Sequence, residues 1–154
     1  MNNYQLIILT FIVTGFWDVL LRSFSLNYNL LPNIIKNNFP FIGYLTPYFK
    51  HHTMLAAALI AGFIGATAQV IIISFLKFPS LKSSINEKLL FLLVTFIISA
   101  LYGFLMKWSK LFPYLDATYY KNLGTIRGMY HDGISGLIVQ ITIYFLLVLK
   151  NYFK

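Results

Sequence analysis

The chain has 154 residues, of which 58% are hydrophobic and 10% charged, against about 25% charged in an ordinary soluble domain, a composition at odds with a water-soluble helical bundle. Twelve Lys and Arg face four Asp and Glu, for a net charge of +8, but the cations are scattered singly, so they read as head-group anchors at helix ends and argue against a nucleic-acid surface. With no cysteine, a disulfide, a thiolate metal site and a cysteine nucleophile are all excluded.

Four apolar runs fill most of the chain, at residues 4–24, 53–76, 89–106 and 133–149. Each is about the 20 residues a helix needs to cross a hydrocarbon core of ~30 Å. The first run has no Lys or Arg in Met1 to Tyr4 and no small-x-small cleavage site after it, so it is expected to be retained as a transmembrane helix. Late in this run Asp18 and Arg22 stand in the i,i+4 relation, which predicts a structural ion pair at the membrane boundary. A carboxylate in such a place can instead relay protons or bind an ion. The connection that follows carries Pro32, Pro40 and Pro47 among Phe39, Phe41, Tyr44, Tyr48 and Phe49. It is too broken to span, and its rings suit the head-group level.

The second run is rich in small residues, and at ~100° per residue Ala58, Gly62, Gly65 and Gln69 share one stripe. That stripe is expected to pack on protein, with backbones approaching closely at glycine and an amide reaching across, inside one bundle in preference to a homodimer face. Lys77, Pro79, Lys82 and Lys88 mark a tight turn into the third run, where Thr95, Ser99, Tyr102 and Met106 share a face and Gly103 offers a further close approach. The third connection again combines proline, aromatics and isolated charges. The fourth run is expected to begin at Asp132 as the helix cap, and Gly133, Gly136, Gln140 and Tyr144 then line one face.

Four crossings would gather Asp18, Arg22, His51, His52, Asp116, Arg127, His131 and Asp132 on the long-loop side, so a site is expected only there. Seven Lys or Arg on that side (Arg22, Lys36, Lys50, Lys107, Lys110, Lys121, Arg127) against five opposite (Lys77, Lys82, Lys88, Lys150, Lys154) favour a cytosolic placement of the long loops. His51, His52, His131 and Asp132 are the one set with the donor types for zinc or iron, but their spacing matches no metal motif, and interfacial histidines with a helix cap are the simpler reading. No HExxH or Ser-Gly-His element is present and no cofactor is expected. A monomeric pore lacks polar lining, whereas small-residue faces on the second and fourth helices could support an oligomeric viroporin-like channel.

The segments LFPYLDATYYKNLGTIRGMYHDGISGLIVQITIYFLL and DVLLRSFSLNY resemble small multi-span membrane proteins of large nucleocytoplasmic DNA viruses. The resemblance implies insertion in an internal virion membrane or a host membrane, and implies no catalytic residue.

The sequence therefore predicts an all-α, integral membrane four-helix bundle in a single domain over residues 1–154, with two aromatic, proline-containing interfacial loops on one side. A structural or scaffolding role follows, with the lipid bilayer as partner and assembly with itself or other membrane proteins as the natural extension. The alternatives are a membrane enzyme or ion-binding protein on the long-loop side and the viroporin-like channel.

Overall fold

The computed structural model describes residues 1–38, 53–108 and 125–153. Among them all regular structure is helical: α1 (Asn3–Leu26), a 3-10 turn (Tyr28–Leu30), α2 (Asn33–Asn38), α3 (Met54–Phe75), α4 (Ile85–Trp108) and α5 (Thr125–Tyr152). The four long helices, α1, α3, α4 and α5, are each long and apolar enough to cross a membrane. The aromatic and proline residues 39–52 and 109–124, on which the expectation of interfacial loops mostly rests, lie outside the described residues.

Local chemistry sets the helix starts. Asn2 and Gln5 form a reciprocal capping box at the head of α1, Asn2 Oδ1 accepting from the Gln5 backbone N–H at 2.9 Å. The Thr53 hydroxyl accepts from the Ala56 N–H at 3.3 Å and opens α3. Ser84 and Glu87 repeat the box before α4, each side chain accepting the other's backbone N–H at 3.2 Å, so the third span begins at Ile85, four residues before its apolar run. α1 ends at Leu26, before Pro32 is reached, with the Asn27 N–H donating to the Ser23 carbonyl at 3.2 Å, and Pro32 instead precedes α2, its carbonyl accepting from the Ile35 N–H at 2.9 Å.

The fourth span corrects the expectation. α5 begins at Thr125, so Asp132 lies in its third turn and is not the helix cap. The apolar run marks where the helix enters hydrocarbon, while its backbone hydrogen bonds extend through the more polar TIRGMYH segment as well.

Two antiparallel pairs make up the bundle, α1 with α3 and α4 with α5, and lighter contacts of α1 with α5 and α3 with α4 close the ring. Within each pair glycine sets the spacing. A Cβ on Gly62 would lie 2.8 Å from the Phe11 carbonyl oxygen, and one on Gly15 would lie 3.0 Å from that of Ala58. Gly65 sits on Thr14, Gly133 on the Phe96 ring and Gly136 on Ser99. The stripe of Ala58, Gly62, Gly65 and Gln69 thus meets α1, and that of Gly133 and Gly136 meets α4. Since lipid is as apolar as leucine, this intimacy is a principal attraction available between the helices. A small core of Leu6, Val13, Val139 and Ile143 joins α1 to α5.

The outer surface is apolar. Tyr4, Ile8, Ile12 and Phe16 form an exposed i,i+4 row on α1, and Leu89, Leu93, Ile97, Leu101 and Leu105 form another on α4. Gly62→Leu should lower stability by roughly 1–3 kcal/mol, because the obstruction is backbone and the helices must part. Denaturant unfolding in mixed micelles with helicity as the readout measures this, and an unchanged midpoint would contradict the close approach.

Candidate functional site: an inter-hairpin cavity

Close contact within each helix pair and lighter contact between pairs leaves a cavity of about 410 Å³ in the middle of the bundle. On α1 the lining positions Thr10, Thr14, Trp17, Asp18, Leu21 and Arg22 recur at helical spacing and form one face. From Thr10 to Arg22 the lining extends roughly 18 Å along the helix at 1.5 Å per residue. α3 contributes small and branched apolar residues, among them Ala57, Ile60, Ala61, Ile64, Ala68 and Ile72, and α4 contributes Ser99, Tyr102, Gly103 and Met106. α5 supplies His131, Asp132, Ser135, Gly136, Val139 and Gln140.

The charged residues cluster toward one end. Arg22 is buried, and its Nε lies 3.7 Å from Asp18 Oδ2 across one helical turn. This is an ion pair at a longer separation than a charge-assisted hydrogen bond of about 2.8 Å. Across the cavity Asp132 presses against Gly103, where a Cβ would come within 2.5 Å of Oδ2. Glycine at 103 is what lets a carboxylate fit between α4 and α5. His131 precedes it, and its carbonyl accepts from the Ser135 hydroxyl at 2.8 Å.

At the other end stands a polar layer. Gln140 Nε2 donates to Gln69 Oε1, which also lies 3.3 Å from the Thr10 hydroxyl. All three side chains are buried. Gln140 borders this cavity and also a second, smaller one of about 220 Å³ near Phe78, Lys88 and Tyr144. Among the described residues Gln140 Oε1, Gln69 Nε2 and Thr14 Oγ1 make no hydrogen bond although they are shielded from solvent. Two aromatic rings on the wall are held by their polar ends: Trp17 Nε1 donates to the Thr142 hydroxyl at 3.0 Å, and the Tyr102 hydroxyl bonds Thr67 Oγ1 at 2.6 Å.

Of the residues singled out in the sequence, Asp18, Arg22, Gly65, Ser99, Gly103, His131, Asp132, Gly136 and Gln140 all meet at this cavity. Ala58, Gly62 and Gly133 lie in helix contacts beside it, and Gln69 forms its polar layer with Gln140. His51 and His52 lie outside the described residues. Among the described residues there is no group of three His, Cys, Asp or Glu able to hold a metal ion. The pairings of Thr10, Thr67 and Thr142 escaped the sequence reading. A hydroxyl inside an apolar run is a usable signal, but its partner is set by how the helices are rotated.

A double-mutant cycle on Gln69→Leu and Gln140→Leu should give a coupling energy of roughly 0.6–1.7 kcal/mol, with either single variant costing more than half of the pair, since one amide is then left buried alone. Additive losses in the unfolding midpoint would show that the two amides do not act together. Comparison with known proteins produced no match: no protein-family model fits the chain, and no curated protein or solved structure is significantly similar to it.

Proposed function

We propose that the protein is a four-span integral membrane protein with a structural or scaffolding role, its long loops on the cytosolic face and, as its resemblance implies, its home a viral or host membrane. One observation carries the reading: exposed apolar rows run the length of the long helices while Gln69, Gln140, Thr10, Thr95 and Arg22 are turned inward. An apolar outer face of this extent suits lipid and not water, and the inward polar groups are largely spent on holding helices together. A protein built this way contributes a rigid apolar body to its membrane, and its outer rows are the surface it offers to itself or to other membrane proteins.

The small-residue stripes of α3 and α5 are occupied within the chain, by Phe11, Thr14, Phe96 and Ser99. An oligomeric channel assembled through those stripes therefore loses its basis. The reading as a metal enzyme would need His51 and His52 to join His131 and Asp132, and no described contact supports it.

The cysteine-free chain suits labelling from one side. Single cysteines replacing Asn2 and Ser80 should react with an impermeant maleimide from outside intact cells, and one replacing Asn38 should react only after permeabilisation. Asn2→Cys and Ser80→Cys labelled from opposite sides would overturn the four-span arrangement, and the reverse pattern throughout would overturn the orientation. For the role itself, cross-linking in native membranes should recover a complex of fixed stoichiometry with itself or another membrane protein. Recovery as a lone monomer would remove the scaffolding reading and leave the spans intact.

A further inference from the structure

The end of the bundle where α1 and α4 begin and α3 and α5 finish has a charge imbalance of its own. Lys77, Lys82, Lys88 and Lys150 stand there against a single acid, Glu87, whose carboxylate already accepts the Ser84 N–H at 3.2 Å. Among the described residues none of these four lysines belongs to an ion pair.

Beside them lies the smaller cavity of about 220 Å³. Leu89 and Leu92 of α4 face Ile141 and Tyr144 of α5 across it, and Phe78, from the link between α3 and α4, covers one end. Leu89 and Ile141 are each more than half exposed, so the space opens as a groove on the outer, apolar surface of the bundle. Its volume is below the about 300–1,000 Å³ of sites for compact small molecules, which suits a slender chain, and walls of this kind give water few partners. Lys88 is the cation of the lining. Its ammonium donates to the Leu81 carbonyl at 3.0 Å and lies 5.4 Å from the Tyr144 ring centre, so the link and α5 hold it in place while its other N–H groups remain for an acceptor. Leu92 lies one turn, about 6 Å, further into the span. A fixed cation at the helix start followed by apolar walls has the polarity of a phospholipid. The exposed Lys77 and Lys82 flank the segment that carries Phe78 and Leu81, and they add to the positive field there.

We infer that this groove binds an anionic phospholipid, its phosphate at Lys88 in the field of Lys77 and Lys82 and the upper part of one acyl chain between Leu89, Leu92 and Ile141. The inference rests on the four-span reading and not on the scaffolding role, and it assigns to one place a head-group preference that cations scattered as anchors do not give. A zwitterionic lipid offers the same chain, but its own ammonium offsets the phosphate. Glycerol phosphate offers the charge without the chain. Which leaflet supplies the lipid depends on orientation; the chemistry of the groove does not.

The test is photocross-linking of the full-length protein in phosphatidylcholine vesicles doped with phosphatidylglycerol or phosphatidylcholine carrying a diazirine near the glycerol end of one acyl chain. Adducts are mapped by mass spectrometry to the groove, at Leu89, Leu92 and Ile141, and to Ile8 and Ile12, exposed on α1 toward the same end, as the measure of ordinary lipid contact. Relative to that reference, phosphatidylglycerol should label the groove about fivefold more than phosphatidylcholine, as one lysine near an anionic head group implies. Lys88→Gln should bring the ratio back toward one, and so should Lys77→Gln with Lys82→Gln, which leaves the Lys88–Leu81 bond in place. Ile141→Trp should fill the groove and remove its adducts while those on α1 persist, and Leu89→Trp replaces it if helicity or elution volume shows misfolding. Free glycerol phosphate should not compete. Equal groove labelling by the two lipids, the same preference at Ile8 and Ile12, a preference that survives both sets of lysine variants, groove adducts that persist in the tryptophan variants, or competition by glycerol phosphate would each overturn the site. Absence of adducts at Ile8 and Ile12 as well would overturn the four-span reading and the site with it.

Discussion

In hydrocarbon the amide pair of Gln69 and Gln140 has nowhere else to go. Water is absent, lipid tails offer neither donor nor acceptor, and an unpaired amide costs more than the net value of the bond it would make. The two side chains stand on different helix pairs, α3 in one and α5 in the other, and Thr10 of α1 comes to the same oxygen. This contact, together with the Trp17–Thr142 and Thr67–Tyr102 bonds that also cross between the pairs, therefore fixes how the α1–α3 pair is rotated against the α4–α5 pair. Apolar packing alone could not, because one leucine-rich face is as acceptable to lipid as to a neighbouring helix.

Around that layer the bundle is uneven by construction. Gly15, Gly62, Gly65, Gly103, Gly133 and Gly136 all serve contacts inside a pair or beside the cavity, drawing α1 onto α3 and α4 onto α5. Between the pairs the facing residues on α3 are largely Ala and Ile, too small to fill the gap once the polar layer has set its width. The cavity is what remains. It follows from tight helix pairs joined through the glutamine layer, the Trp17–Thr142 and Thr67–Tyr102 bonds and a small core of Leu6, Val13, Val139 and Ile143.

The charge distribution takes its meaning from the same solvent. Cations at helix ends are inexpensive because their stems can carry the charge out of the apolar region; Lys88 donates to the Leu81 carbonyl at 3.0 Å with its ammonium 5.4 Å from the Tyr144 ring centre. Carboxylates on the faces of spanning helices are not inexpensive, and each here has a specific accommodation: Asp18 has the Arg22 guanidinium a turn away, and Asp132 has the space that Gly103 leaves. The apolar outer surface and the cavity are consequently separate features of one body. The outer rows suit lipid, while the interior carries the concentrated polar chemistry among the described residues.

Hydropathy and spacing determined, without coordinates, that four helices form, and pointed to a protein-facing stripe on the second, third and fourth but not on the first: runs of apolar residues leave a helix as the way to satisfy every backbone group within one segment, and Gly, Ala and Gln at helical spacing stand out against leucine. The Asp18–Arg22 pair was legible too, since i,i+4 is a local relation. The start of α5 was not, because a helix continues past the apolar run as long as its backbone bonds can form, and Asp132 moved from an expected cap to a cavity wall. Nor could the sequence say that Gln69 meets Gln140, Trp17 meets Thr142 or Asp132 meets Gly103. Those pairings depend on the rotation and offset of helices distant along the chain, and only the tertiary structure decides them, by bringing together the few polar groups that hydrocarbon will not accept alone.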